Sequence, residues 1–310
     1  MRKLGPYLAA WWRLSRIPFL PVGFLPLVLG YVLAWRWGYR GSVELYVLSF
    51  AAVILIMWMT YYISEWGDLE GDRMNKNSNP FSGGSKILVE RLLPSWTSLV
   101  LGYGCLGAAV IIGLTIFFRH QTGPWTLPLG AIGIFSGFFY SIRPFRWAYR
   151  GLGEVLIGIC YSWLPIATGF YLFTGFFNPQ VFFLSIPVGL SIVNVILLNE
   201  FPDEDADRAA GKRNVLVRFG KEKSADLTLC LSILIGLSFI RLVSILRPLP
   251  FWLIFLSMVP LLLLLWNFVQ VWRGGYRHAK TLETLCRNGL LINLSMTMIL
   301  TIQLSLARFP

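Results

Sequence analysis

Apolar runs of about 20 residues recur along this 310-residue chain, separated by short polar stretches. Each run is long enough to cross roughly 30 Å of hydrocarbon as a helix. Backbone groups cannot stay unpaired in lipid, so the runs predict helices rather than open strands. Nine spans are expected, at 18–36, 45–66, 96–118, 124–142, 151–173, 180–200, 226–246, 250–272 and 288–307. Residues 5–16, GPYLAAWWRLSR, predict a short helix lying in the interface, with Trp11 and Trp12 at headgroup level and Arg13 and Arg16 in water. The expected fold class is all-α: a polytopic membrane protein forming one nine-helix domain over residues 1–310.

Composition agrees, with 56% hydrophobic residues and thirteen Trp. The net charge of +12 could suggest nucleic acid. The basic residues, however, are spread over alternate loops rather than gathered in one patch, which predicts a topology signal and no nucleic-acid partner. With nine spans, 21 of the 27 Lys and Arg fall on one side. The positive-inside bias then places the N-terminus in the cytoplasm and the C-terminus outside the plasma membrane. Cys105, Cys160, Cys230 and Cys286 show no CxxC spacing and mostly lie within or beside apolar runs. They predict small core residues rather than a zinc or haem site.

Against this background the acids are concentrated. Ten of the fifteen lie between Glu65 and Glu90 or between Glu200 and Asp207. The two neighbourhoods align: SEWGDLEGD from Ser64 and NEFPDEDAD from Asn199 share Glu65/Glu200, Asp68/Asp203, Asp72/Asp207 and then Arg73/Arg208. Each copy ends an apolar run. The copies are four expected spans apart, so both emerge on the cytoplasmic face, as a parallel internal repeat would require.

Asp68 and Asp72 are four apart, as are Asp203 and Asp207. If the helical turn continues through them, each pair shares one helix face with Cβ atoms about 5–6 Å apart. Like charges so close destabilise a merely structural helix, whereas a divalent cation reverses the sign. Mg²⁺ is usually held by one or two carboxylates, water and substrate phosphate oxygens. Two facing pairs, extended by Asn199 one turn earlier, would bind Mg²⁺ around a diphosphate and stabilise its departure. The alternative is that these are solvated loop acids balancing the basic loops.

Arg73, Arg143, Arg150, Lys212 and Arg213 (with Arg146 and Arg208 nearby) are the candidate phosphate-gripping groups, although any one of them taken alone reads better as a positive-inside anchor. Ser82-Gly83-Gly84-Ser85 could form a backbone nest for an anion. Glu154 opens a span, where the helix dipole favours an acid in any case. Asn194 and Asn293 predict interhelical hydrogen bonds. A cation-coupled secondary transporter is the rival function class, but the acids sit at helix ends rather than at mid-span.

The paired motifs resemble those of the UbiA superfamily of intramembrane prenyltransferases, whose members have nine transmembrane helices and aspartate-rich motifs ending the second and sixth. Asn199-x-x-x-Asp203-x-x-x-Asp207 fits fully. The first copy departs, with Ser64 where the family usually has Asn, which weakens that position as a diphosphate contact. The stretches YSIRPFRWAYRGLGE from Tyr140, NEFPDEDADRAAGKRNVLVRFG from Asn199 and NPFSGGSKILVERLLP from Asn79 are most similar to the 1,4-dihydroxy-2-naphthoate prenyltransferases of menaquinone synthesis. The 4-hydroxybenzoate enzymes normally carry Lys where Arg143 and Arg146 stand. The resemblance implies Asp68, Asp72, Asp203 and Asp207 as catalytic, these with Asn199 as Mg²⁺ ligands, and a polyprenyl diphosphate and an aromatic acceptor as substrates. With the naphthoate, the carboxyl group would be lost as the prenyl chain is attached. Homogentisate, a chlorophyllide, haem and a glycerol phosphate ether are the alternative acceptors within the superfamily.

Overall fold

The computed structural model describes residues 4–246 and 250–306; Arg2 and Lys3 of the topology count, and residue 307 of the ninth expected span, lie outside the described residues. Among the described residues every regular element is helical. In chain order the helices are α1 (Leu4–Leu14), α2 (Pro21–Arg36), α3 (Val43–Gly67), α4 (Leu69–Met74), α5 (Ser95–His120), α6 (Thr126–Phe138), α7 (Gly153–Gly158), α8 (Leu164–Thr174), α9 (Pro179–Glu200), α10 (Glu204–Ala209), α11 (Val215–Ile245), α12 (Phe251–Trp272) and α13 (Ala279–Leu306).

Seven described segments are long and apolar enough to cross a membrane: α3, α5, α7 with α8, α9 with α10, α11, α12 and α13. An eighth is a bent pair, Leu8–Phe19 with Pro21–Arg36, meeting at 41°. The bend follows from Arg16, whose φ of 47° is left-handed, and from Pro21 at the first turn of α2. With the bent pair counted as one, eight of the nine expected spans are matched. The run at 124–142 yields only the thirteen-residue α6, about 20 Å long, because the chain turns away after Phe138. Between α7 and α8 the helix widens into a π turn, Ile159–Trp163.

The amphipathic α1 also departs from expectation. Arg13 and Arg16 do not simply face water. Arg13 Nη2 donates to the Ser85 carbonyl at 2.9 Å, and Arg16 Nη2 lies 3.0 Å from Glu65 Oε1. Trp12 remains exposed.

Packing relies on close backbone approach, the usual route where apolar burial gains nothing over lipid. A Cβ on Gly30 of α2 would come within 2.3 Å of the Ile166 carbonyl oxygen, and one on Gly169 of α8 within 2.3 Å of that of Leu27. Buried amides tie other helices as the sequence predicts: Asn293 donates to Val188 O (3.1 Å) and Ser191 Oγ (2.8 Å), and Asn194 to Ser232 Oγ (3.4 Å). Residues of α2, α3, α5, α6, α7, α8, α9 and α13 enclose a cavity of about 570 Å³, to which α11 and α12 contribute no wall.

Gly169→Ala is expected to destabilise the protein by about 1–3 kcal/mol, the usual cost of overpacking. Gly107→Ala, whose Cβ would meet open space, should be neutral or stabilising by up to about 1 kcal/mol. Thermal unfolding of the two variants in detergent checks the contrast; equal melting temperatures would contradict the α2–α8 contact.

Candidate active site

Both acidic copies open onto the same end of the cavity, which is lined there by Ser64, Asp68, Asp72, Asn199, Asp203, Asp207 and Lys212. Local backbone explains how. Each long helix stops just before or at its first aspartate: Asp68 has φ −98° and ψ 3°, and Asp203 φ −93° and ψ −6°. A six-residue helix then resumes in each copy. The turn nevertheless persists through the first pair, since Asp72 N donates to Asp68 O at 2.8 Å.

Three of the four aspartates are held at both carboxylate oxygens. Asp68 accepts from Ser141 Oγ (2.5 Å) and from the Tyr149 hydroxyl (2.9 Å). Asp203 accepts from Asn75 Nδ2 (2.6 Å) and the Gly83 amide (2.9 Å). Asp207 accepts from Asn214 Nδ2 (2.8 Å) and lies 2.9 Å from Lys212 Nζ. The same ammonium is 3.7 Å from Asp68, so Lys212 spans the two motifs. Burial opposes its charge, but Asp68 and Asp207 outweigh that and raise the Lys212 pKa well above its ordinary value. Burial, then the Asp68 charge, also raises Tyr149, which therefore remains an O–H donor.

Asp72 is different. Burial first, then the charges of Asp68 and Glu65, push its carboxyl up to about 7. Its side chain occupies the space that a side chain at Gly84 would fill: a Cβ there would come 2.1 Å from Oδ2. Gly84 also needs its φ of +71°.

The buried glutamates fasten the loops that follow each motif. Glu65, 4% exposed, accepts from the Ser85 amide (2.6 Å), Ser85 Oγ (2.8 Å) and Arg16. Glu200 accepts from the Leu216 amide at 3.4 Å, and Glu154 accepts from the Val215 amide at 2.6 Å. Within the 82–85 stretch the Gly83 amide thus serves Asp203 and the Ser85 amide Glu65, while that of Ser82 donates to Asn79 O.

Of the expected phosphate-gripping groups, only Lys212, Ser64 and Asn199 line the cavity. Arg73, Arg143, Arg150 and Arg213 are exposed outside it. Arg150 donates to Pro144 O, and Arg146 stacks over Tyr149 at 3.7 Å. Sequence reasoning passed over Arg16, Asn75, Ser141, Tyr149 and Asn214. The shared Glu65/Glu200 register was the available signal for the loop fastenings.

The donor set suits a hard divalent cation. It consists of oxygens, and Ser64 Oγ and Asn199 Oδ1 are buried with no hydrogen-bond partner. Among the described residues no three His, Cys, Asp or Glu side chains stand close enough together to hold a metal as they are. Ser64 and Asn199 extend the set beyond those types.

A model of the UbiA prenyltransferase family matches residues 16–288. The chain belongs to the UbiA prenyltransferase family. It is therefore an enzyme of the prenyltransferase class and an integral, multi-pass membrane protein. It is 24% identical to a 1,4-dihydroxy-2-naphthoate octaprenyltransferase of Escherichia coli over 92% of both chains. It is 25% identical to the Bacillus subtilis enzyme of the same name, over 70% of this chain and 68% of that one. Its fold matches a UbiA homolog from Archaeoglobus fulgidus, solved bound to GPP and Mg²⁺, with a TM-score of 0.57 at 16% identity, over 94% of this chain and 99% of that one.

Gly84→Ala should displace Asp72 and lower turnover about 10²-fold, as a misplacement near 1 Å can. Gly211→Ala shares the positive φ but meets open space, and so separates strain from collision. Initial rates across a Mg²⁺ titration check this; equal losses in the two variants would remove Asp72 from the explanation.

Proposed function

We propose that this chain transfers an isoprenyl group from a polyprenyl diphosphate to 1,4-dihydroxy-2-naphthoate, in a Mg²⁺-dependent step of quinone synthesis. It works at the cytoplasmic face of the plasma membrane, N-terminus inside and C-terminus outside. One observation carries the reading: a single cavity has four aspartates and a lysine at one end and apolar walls beyond. Along α3 the lining runs from Ser64 to Ser49, about 22 Å by helical rise, which suits a polar diphosphate head with an isoprenoid tail. The two relatives and the Tyr140–Glu154 and Asn199–Gly220 stretches support the choice of acceptor.

Asp68, Asp72, Asn199, Asp203 and Asp207 would hold Mg²⁺. When bound, the cation withdraws charge from the diphosphate and makes it a better leaving group. Lys212 and Arg16 supply positive groups inside the cavity for the same oxygens, and Ser64 a hydroxyl. Arg73, Arg143, Arg150 and Arg213 contribute a positive field at the mouth. The allylic C–O bond breaks with its electron pair leaving on the diphosphate. The electron-rich ring attacks the allylic cation, a C–C bond forms, and the carboxyl group leaves as CO₂. Tyr61, Tyr140 and Tyr161 line the cavity and offer ring faces to the cation, while the apolar walls keep out water that would quench it.

The test uses purified protein in detergent or lipid with Mg²⁺ and farnesyl or geranylgeranyl diphosphate. Either 1,4-dihydroxy-2-naphthoate or 4-hydroxybenzoate is the acceptor, and products are read by mass. A prenylated naphthoquinol lacking the carboxyl group is expected, lost with EDTA and in Asp68→Ala and Asp203→Ala. Product with 4-hydroxybenzoate alone would overturn the acceptor, and full turnover in EDTA would overturn the metal.

A further inference from the structure

Asp203 is held by a segment that belongs to the other motif. After α4 the chain runs from Asn75 to Lys86 across the end of the cavity, and among the described residues it supplies the hydrogen-bond donors to the Asp203 carboxylate, Asn75 Nδ2 (2.6 Å) and the Gly83 amide (2.9 Å). The segment is pinned at both ends. Lys86 Nζ donates to Asp72 O (2.7 Å) and Asn75 O (3.2 Å), and Ser85 donates to Glu65. The Asn75 amide is oriented as well as placed. Its Oδ1 accepts from the Asn77 amide at 3.0 Å, which leaves Nδ2 to face Asp203.

The returning segment is complementary, since Lys212 after the second motif lies near Asp68 of the first. Carboxylates that ligate a cation are usually themselves hydrogen-bonded. Removing such an orienting partner typically costs 10–100-fold in affinity or activity.

We propose that Asn75 is a positioning residue for Asp203: its amide, anchored in the segment that leaves the first motif, aims the carboxylate of the second motif at the divalent cation. This rests on the reading of the site as a cation–diphosphate centre. It adds that cation affinity is set by a contact between motifs, made by a side chain outside the aspartate-rich stretches.

The experiment measures Mn²⁺ alone binding to the purified full chain in detergent, by electron paramagnetic resonance, with thermal unfolding in parallel. Asn75→Ala is expected to raise the Mn²⁺ dissociation constant about tenfold or more. The control is Asn79→Ala on the same segment, whose Oδ1 accepts from the Phe81 amide (2.8 Å) and which donates to Cys286 rather than to an aspartate. It should lower the melting temperature yet leave the dissociation constant within about twofold of wild type, well under the second-shell effect. A dissociation constant unchanged in Asn75→Ala, or raised equally in Asn79→Ala, overturns the proposal. If Asn75→Ala does not fold, Asn75→Gln, which keeps the amide but lengthens it, must still bind Mn²⁺ more weakly than wild type. Wild-type protein that binds no Mn²⁺ would instead sink the cation reading itself.

Discussion

Four carboxylates gathered at one end of a membrane bundle repel one another, and the rest of the site is arranged around that repulsion. Lys212 lies between Asp68 and Asp207, close enough to offset part of it in a medium that screens charge poorly. Neutral donors do the remainder. A serine, a tyrosine, two asparagines and a backbone amide each take one carboxylate oxygen. Such bonds to an ionised group are stronger than neutral ones and fix its orientation. Asp72, left without comparable support, is pushed up to about 7 by burial and by the charges of Asp68 and Glu65.

The same bonds fasten the loops. A loop crossing the end of a bundle carries amides that must be paired. Here Asp203 and Glu65 take the amides of Gly83 and Ser85 in the first loop, while Glu154 and Glu200 take those of Val215 and Leu216 at the start of α11. The acids thus build the roof of the cavity as well as furnishing its chemistry, and α1 with the turn after it adds Arg13 and Arg16 to the same roof.

Much of this was legible in the sequence. Apolar runs longer than the hydrocarbon is thick gave helices in place, because their length is a direct measure. The four aspartates were visible because a repeated spacing of like charges has few structural excuses. The count of spans was less legible, since an apolar run records what can enter lipid but not where a helix bends, as at Arg16, or stops, as after Phe138. The exposed arginines were indistinguishable in sequence from Lys212, which lines the cavity, because both roles require only a positive charge near a helix end. Asn75, Ser141, Tyr149 and Asn214 were out of reach for a different reason. Their roles depend on which loop crosses which, and no local pattern encodes that.

The shortness of α6 has a consequence for the surrounding lipid. A helix of about 20 Å cannot match a hydrocarbon layer of roughly 30 Å on its own. The rest of its apolar run is spent in the turn through Ser141 that reaches Asp68, and Trp125 stands exposed at the helix's other end. Acyl chains beside this face must compress or tilt to follow it, at a cost of fractions of a kcal/mol per Å of mismatch. Where the lipid thins to follow this wall, whose Ser141 end delivers a hydrogen bond to Asp68, membrane thickness would become a variable that bears on the geometry of the first motif.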